Sequence, residues 1–296
     1  ERKQIRPVKA EVPMSWGGFT AAELEWQYNP RETVPEFMTH FDRFVKLSDE
    51  TRAQLGGKLD VRFGDGPKET MDVYMAAEPG APVHVFFHGG YWRSQDKKDY
   101  AFVARDLVAA GFTVICPNYD LCPDVTVADI TEEAVRCITH IYQNIEDFNG
   151  DRDRISISGH SAGGQIVARL ATLDWSDVLG DAMPFEAVVP ISGVFDLEPV
   201  RHTTLNEDIR LDEASAADNS PMLDVVPLGA RLLVVVGGNE SPEFVRQSDA
   251  YGAYCGSAGL KVSVYKAWGA NHFTVLEELF LGTGSLFGTL KRFLLP

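Results

Sequence analysis

Residues 154–173 read RISISGHSAGGQIVARLATL. A run rich in β-branched residues ends at Ser158, and a helix-forming run begins directly after Ser161. Between them lies the sequence Gly159-His-Ser-Ala-Gly163, a G-x-S-x-G pattern whose glycines permit a sharp turn that lifts a serine out of the strand end. The pattern predicts Ser161 as a nucleophile, with the helix N-terminus supplying positive potential and the Ala162 N–H. A glycine-rich turn that carries an idle serine is the alternative.

Apolar runs typical of strands buried on both faces surround this stretch. Helical stretches at 99–110, 126–147 and 274–293 alternate with them, so we predict a mostly parallel sheet flanked by helices. Residues 195–222 are polar and too long for a plain connection, which suggests a small helical cap. We therefore expect a single α/β domain over residues 1–296, with a helical segment at about 18–56. The predicted strands are two segments within 57–78 about Gly64-Asp65-Gly66, and then 83–87, 112–116, 154–158, 186–191, 231–236 and 261–265.

Composition narrows the classes of function. The 296-residue chain has a formal net charge of −16, which disfavours nucleic acid as a partner. Its four cysteines form no C-x-x-C pair, and no Cys/His cluster has zinc spacing, so we expect reduced thiols and no metal. A Cys116–Cys122 bridge stays open. No apolar run is long enough to cross a membrane, and residues 1–16 lack the apolar core of a signal peptide, so the cytoplasm is the expected compartment.

A serine hydroxyl needs a positioned base and an acid behind that base. In chains that carry the nucleophile on a G-x-S-x-G turn, the serine comes first in the sequence, the acid second and the histidine last. His272 fits this order, because it follows the last predicted strand in a short loop. The acid is expected after the strand Leu232–Val236. Glu240 lies directly at the exit of that strand and is preferred, whereas Glu243 follows Pro242 at a predicted helix start and remains the alternative.

An oxyanion hole requires backbone N–H groups near the nucleophile. His88-Gly-Gly-Tyr-Trp92 directly follows the first buried parallel strand, where lipases and esterases carry an HGGG-type loop. Gly89, Gly90, Tyr91 and Ala162 are therefore predicted to form the hole, and His88 to brace the loop. Together with the Ser161 turn, this placement predicts the α/β-hydrolase fold.

The motif HGGYW at 88–92 resembles the HGGxW motif of the kynurenine formamidases, which are esterase-like α/β-hydrolases. Other similar segments lie along the chain from about residue 20 to the final helix: EWQYNPR at 25–31, GHSAGG at 159–164, SGVFDLEP at 192–199, ESPEF at 240–244 and NHF at 271–273. The resemblance implies hydrolysis of N-formyl-L-kynurenine to kynurenine and formate without a cofactor. It assigns Ser161 as nucleophile, His272 as base and the acid position to Glu240, where the family leads us to expect Asp.

The predicted activity is therefore serine hydrolysis of an aryl formamide through an acyl-enzyme. Trp92 is expected to limit the acyl group to a small one, and Tyr28 and Phe273 to contact an aryl leaving group. A carboxylesterase for short-acyl esters or another small amide is the alternative, and an inactive binding protein of the same fold is a third. The expected partner is a small-molecule substrate, and homodimer formation is left open.

Overall fold

The computed structural model of the chain describes residues 14–180, 184–224 and 229–295. Its centre is an eight-stranded sheet. The strands are β1 (Lys58–Arg62), β2 (Thr70–Tyr74), β3 (Ala81–Phe87), β4 (Thr113–Pro117), β5 (Gly150–His160), β6 (Ala187–Ile191), β7 (Arg231–Gly237) and β8 (Val262–Ala267). Their order across the sheet is β8-β7-β6-β5-β3-β4-β2-β1. The pairs β1–β2 and β2–β4 are antiparallel, and the remaining pairs are parallel.

Helices cover both faces of the sheet, and a two-stranded ribbon of Met14–Trp16 and Phe19–Thr20 precedes them. The α-helices are α1 (Ala21–Tyr28), α2 (Pro30–Thr33), α3 (Phe37–Leu55), α4 (Phe102–Ala109), α5 (Val127–Asn144), α6 (Ala162–Leu170), α7 (Ser176–Leu179), α8 (Asn206–Ile209), α9 (Glu213–Asp218), α10 (Pro242–Ser257), α11 (Thr274–Phe280) and α12 (Phe287–Leu294). The first begins at a capping box of Thr20 and Glu23. Helices on both faces explain why the central strands are mostly apolar, and the buried polar side chains His84, Ser156 and Ser158 bond one another within the sheet.

Alternate residues of a central strand enter two separate cores. Val83, Val85 and Phe87 of β3 pack into the core on one face of the sheet. Phe86 packs into the core on the other face, with α4, α11 and α12. Because successive side chains point to opposite faces, burial on both sides requires the continuous apolar run that the sequence displays. The parallel α/β architecture predicted from these runs is therefore confirmed.

Two predicted segments differ in detail from the structure. The single helix expected over 274–293 is in fact two helices, α11 and α12, separated by residues 281–286. Leu281 is extended, and a Cβ on Gly284 would lie 2.4 Å from the Glu278 carbonyl oxygen, so the chain turns closely against the end of α11. Residues 195–222 form short helical pieces, including α8 and α9, where a small cap is predicted.

Two further expectations concern a disulfide bond and membrane-spanning helices. Cys116, Cys122, Cys137 and Cys255 are all buried and free, so the disulfide left open between the first two is absent. Within residues 14–180, 184–224 and 229–295, every helix is too short or too polar to cross a bilayer.

Candidate active site

Ser161 stands at the turn between β5 and α6. Its φ of +56° and ψ of −114° are strained for a residue that carries a side chain. The turn is tight: a Cβ on Gly159 would lie 2.0 Å from the Gly163 carbonyl oxygen, and a Cβ on Gly163 would lie 2.1 Å from the Phe87 carbonyl oxygen. Both glycines of the G-x-S-x-G sequence are thus required by close backbone approach. The predicted strand–turn–helix geometry is present at Ser161.

His272 and Glu240 form a buried pair at the carboxyl end of the sheet. The His272 Nδ1 lies 2.6 Å from the Glu240 Oε2, and the two side chains are 5% and 1% exposed. The other carboxylate oxygen, Oε1, accepts hydrogen bonds from the Ser192 hydroxyl at 2.5 Å and the Gly237 N–H at 2.7 Å. Because a carboxylate only accepts, it holds the proton on Nδ1 and leaves the Nε2 lone pair of His272 for the substrate side.

Ser161 and His272 line the same pocket. Among the hydrogen bonds of the described residues there is none between the Ser161 hydroxyl and the imidazole of His272. In unliganded enzymes the bond between nucleophile and base is often long and tightens when substrate binds. The missing bond therefore leaves His272 a candidate base for Ser161, with which it shares the pocket.

Glu243, the alternative acid, is held elsewhere. Its carboxylate accepts a hydrogen bond from the Tyr28 hydroxyl at 2.7 Å and forms an ion pair with Arg246 at 2.8 Å. The arginine and the tyrosine hydroxyl outweigh burial and lower the pKa of Glu243. The structure therefore brings Glu240, and not Glu243, to His272.

His160 connects the Ser161 turn to the loop that carries His272. Its Nε2 lies 2.7 Å from the His272 backbone oxygen, which can only accept, so the proton of His160 is on Nε2. Burial, and then the neighbouring imidazole of His272, lower the pKa of His160 well below its usual value. A neutral His160 thus holds the loop that carries His272 against the turn that carries Ser161.

The glycine loop after β3 lies beside Ser161. Gly90 and Tyr91 line the pocket, and a Cβ on Gly89 would lie 3.2 Å from the Ser161 Cβ. Ala162 is the first residue of α6, where backbone N–H groups have no partner within the helix. The predicted oxyanion-hole residues are therefore gathered around the serine.

His88 and Tyr119 brace that loop from below. The His88 Nδ1 lies 2.7 Å from the Gly89 carbonyl oxygen, and the Tyr119 hydroxyl donates to the His88 carbonyl oxygen at 2.9 Å. The two rings stack with centroids 4.3 Å apart. Burial lowers the pKa of His88. His88 thus occupies a bracing position, and its ring nitrogens bond Gly89 and Asn118.

Of the three residues expected to contact substrate, the structure places one in the pocket and two in the core. Phe273 lines the pocket. Trp92 is completely buried, and its indole N–H donates to the Gln165 side chain at 3.1 Å, so it supports the loop from beneath and is not part of the lining. Tyr28 is 1% exposed and faces Glu243. Trp92 was expected at the substrate because it lies in the HGGYW loop, and Tyr28 because it is aromatic, but both side chains belong to the core.

Several pocket residues were missed by the sequence analysis. The pocket also includes residues from the start of α2, the glycine loop and the cap segment 195–222. The EWQYNPR segment was noticed as a motif, and its last residues are those that reach the pocket. The additional lining residues are Asn29, Pro30, Arg31, Arg93, Ser94, Gln95, Tyr100, His160 and Leu205. Within the described part of the chain, no group of three or more His, Cys, Asp or Glu side chains is arranged to hold a metal ion.

Comparison with known proteins agrees with this geometry. The BD-FAE family model matches residues 71–225. The kynurenine formamidase of Danio rerio is 30% identical over 278 residues, covering 89% of this chain and 93% of that protein. The kynurenine formamidase of Drosophila melanogaster is 28% identical over 255 residues, covering 80% and 83% of the two chains.

Solved structures are similar as well. A crystal structure of a putative thioesterase from Silicibacter sp. TM1040 has 28% identity and a TM-score of 0.78, covering 91% of this chain and 99% of that one. An esterase of Pyrobaculum calidifontis, at 18% identity, has a TM-score of 0.66 over 86% and 91% of the two chains, which supports the fold. With the strained serine, the buried imidazole–carboxylate pair and these relatives together, the chain belongs to the kynurenine formamidase family of α/β-hydrolase enzymes.

Proposed function

We propose that this hydrolase cleaves an aryl formamide, with N-formyl-L-kynurenine as the substrate and kynurenine and formate as the products. The observation that carries the proposal is the buried His272–Glu240 pair, 2.6 Å apart, in the same pocket as the strained Ser161. The kynurenine formamidases of Danio rerio and Drosophila melanogaster are related over most of the chain, which supports this substrate. The reaction needs no cofactor.

The first half of the reaction forms a formyl-enzyme. The His272 Nε2 takes the hydroxyl proton as the Ser161 oxygen bonds to the formyl carbon, and the carbonyl π electrons move onto oxygen. The N–H groups of Gly90, Tyr91 and Ala162 are the proposed donors to that oxyanion. When the intermediate collapses, the C–N bond breaks and His272 returns the proton to the departing amine nitrogen.

The second half regenerates the enzyme. His272 takes a proton from water, whose oxygen attacks the formyl ester, and Ser161 then leaves with the proton from His272. Glu240 stabilises the imidazolium at both stages through its bond to Nδ1.

Ser161→Ala tests the nucleophile. We expect formate release from N-formylkynurenine to fall on the order of 10³-fold or more, with a residual rate from the oxyanion hole. A fluorophosphonate probe should label the native chain and fail to label the variant. The matched control is Ser257→Ala, because Ser257 is exposed and its hydroxyl bonds only the Tyr254 carbonyl oxygen. Unchanged turnover in Ser161→Ala would refute the assignment.

A carboxylesterase acting on short-acyl esters is the second candidate. It is favoured by the similarity to the putative thioesterase of Silicibacter sp. TM1040 over almost the whole chain. The two candidates are separated by kcat/KM for N-formylkynurenine and for p-nitrophenyl acetate. A formamide preference below about tenfold, or ~1.4 kcal/mol, would favour the esterase. We propose the cytoplasm as the compartment, since all four cysteines are free thiols.

A further inference from the structure

The pocket differs in charge from the rest of the molecule. The chain carries a formal net charge of −16. The described residues that line the pocket nevertheless include Arg31 and Arg93 and no Asp or Glu. A cleft whose charge opposes that of the surrounding protein focuses a local field on its ligand. The sign of that field favours an anionic group.

One of the two arginines already has a partner. Arg93 pairs with the carboxylate of Asp208, which lies on α8 of the cap. The pair joins the glycine loop to the cap and neutralises the charge of Arg93. The net positive charge of the lining therefore resides on Arg31.

Arg31 is held in place by its backbone while its charge stays available. Its N–H bonds the Asn29 side-chain oxygen at 3.2 Å, which fixes the start of α2. The guanidinium carbon lies 5.3 Å from the Phe37 ring centroid, and the ring centroids of Phe37 and Phe273 are 6.4 Å apart. No carboxylate within residues 14–180, 184–224 and 229–295 lies within ion-pair distance of this guanidinium. Its planar donors are thus free to bind a carboxylate through two parallel bonds.

We infer that Arg31 binds a carboxylate carried by the substrate, so that the site selects anionic aryl amides or esters. The aryl part then lies along Phe273, and the carboxylate lies against Arg31, away from the reacting carbonyl. Arg31 is thereby a specificity-determining residue of the pocket. The inference rests on the proposed function, because it takes the reacting carbonyl to be at Ser161.

Two esters that differ only in charge isolate the role of Arg31. 3-Acetoxybenzoate and 3-acetoxybenzamide share the acetyl group and the aryl leaving group, so neither requires formamidase activity. We expect Arg31→Gln to lower kcat/KM for the benzoate about tenfold, mainly through KM, and to leave the benzamide within about twofold. Arg31→Lys should recover part of the difference, because it keeps the charge and loses the planar fork.

The control is Arg292→Gln, since Arg292 is exposed on α12 and its guanidinium, among the described residues, bonds only the Thr289 hydroxyl. This variant should leave both esters unchanged. Calorimetric binding of 3-hydroxybenzoate and 3-hydroxybenzamide gives the same comparison without catalysis. Equal losses on both esters in Arg31→Gln, or an unchanged affinity for the benzoate, would overturn the inference. Failure to cleave N-formylkynurenine would refute the formamidase proposal alone, because the ester pair reports on Arg31 independently.

Discussion

Replacing Glu240 by Gln tests how the carboxylate controls the base. The substitution keeps the shape of the side chain but turns one acceptor oxygen into an NH₂ donor. One end of the group faces the His272 Nδ1 at 2.6 Å, and the other accepts the Gly237 N–H at 2.7 Å. The Ser192 hydroxyl can bond either end of the amide, because a hydroxyl both donates and accepts. The Gly237 N–H can bond only the amide oxygen, because a backbone N–H can only donate.

The amide must therefore place its oxygen at Gly237 and its NH₂ at His272. That orientation forces the imidazole to carry its proton on Nε2, where it cannot act as a base. The opposite orientation leaves the Gly237 N–H facing a donor, which costs about 1–3 kcal/mol for a buried group. The base-competent form is then about 5- to 150-fold less populated.

A second loss is added during the reaction. The imidazolium no longer has a carboxylate behind it, and a charge-assisted hydrogen bond of this kind contributes about 1.5–3 kcal/mol, or about 10- to 150-fold. The two effects together predict a fall in kcat of about 10²- to 10⁴-fold. KM should change little, because neither effect involves binding of the ground state.

The assay is steady-state hydrolysis of p-nitrophenyl acetate and N-formylkynurenine, with urea unfolding to verify that the variant is folded. Glu243→Gln is the matched control, since Glu243 is only three residues further along the chain, yet its carboxylate bonds Tyr28 and Arg246 instead of His272. We expect the control to keep kcat within about threefold, because neither of these bonds touches the base. A folded Glu240→Gln variant that retains more than about a tenth of native kcat would refute the tautomer argument.

Three further perturbations follow from other contacts. In Gly163→Ala a Cβ would lie 2.1 Å from the Phe87 carbonyl oxygen, so we expect a loss of about 3 kcal/mol or more in urea unfolding together with lost esterase activity. Burial lowers the pKa of His84 to about 3, so below about pH 6.5 the unfolded chain binds a proton that the native chain does not. As the pH is lowered below that value, the free energy of unfolding should fall by about 1.4 kcal/mol per pH unit through this group. In His84→Gln, urea unfolding measured at several pH values should show a dependence on pH that is weaker by that slope. Asp208→Asn releases Arg93, so kcat/KM for 3-acetoxybenzoate should rise about two- to threefold relative to 3-acetoxybenzamide and lose that gain in about 0.5 M NaCl.

The sheet could be predicted because its signal is local. Burial on both faces imposes continuous apolar runs, and the runs at 83–87 and 231–236 coincide with β3 and β7. The break between α11 and α12 depends instead on a close backbone approach at Gly284, which a helical hydrophobic pattern does not report. Helix period shows which residues face a core, but it does not show where the chain must turn away.

The pairing of His272 with Glu240 beside Ser161 was predictable because the fold restricts where these residues lie in the chain. Order along the chain selected Ser161 and His272, and strand exit favoured Glu240. The Ser192 hydroxyl that supports Glu240 comes from 48 positions earlier in the chain and has no local signature. Trp92 shows the converse, since it follows pocket residue Tyr91 directly yet its indole is buried against Gln165.

Backbone strain explains why such contacts escape sequence analysis. Tyr91, Trp92, Ser161 and Ser192 all have φ between +49° and +56°, and all four lie at carboxyl ends of neighbouring strands or in the loop beside them. Each such conformation costs about 1–3 kcal/mol and persists only where surrounding contacts enforce it. Here those contacts are long-range, such as the Ser161 N–H to the Ile191 carbonyl oxygen at 2.8 Å and the Ser192 N–H to the Val235 carbonyl oxygen at 2.7 Å. The directions of the side chains at this edge are therefore set by the assembled sheet. Local sequence predicts such a direction only where a motif such as G-x-S-x-G already encodes the strained turn.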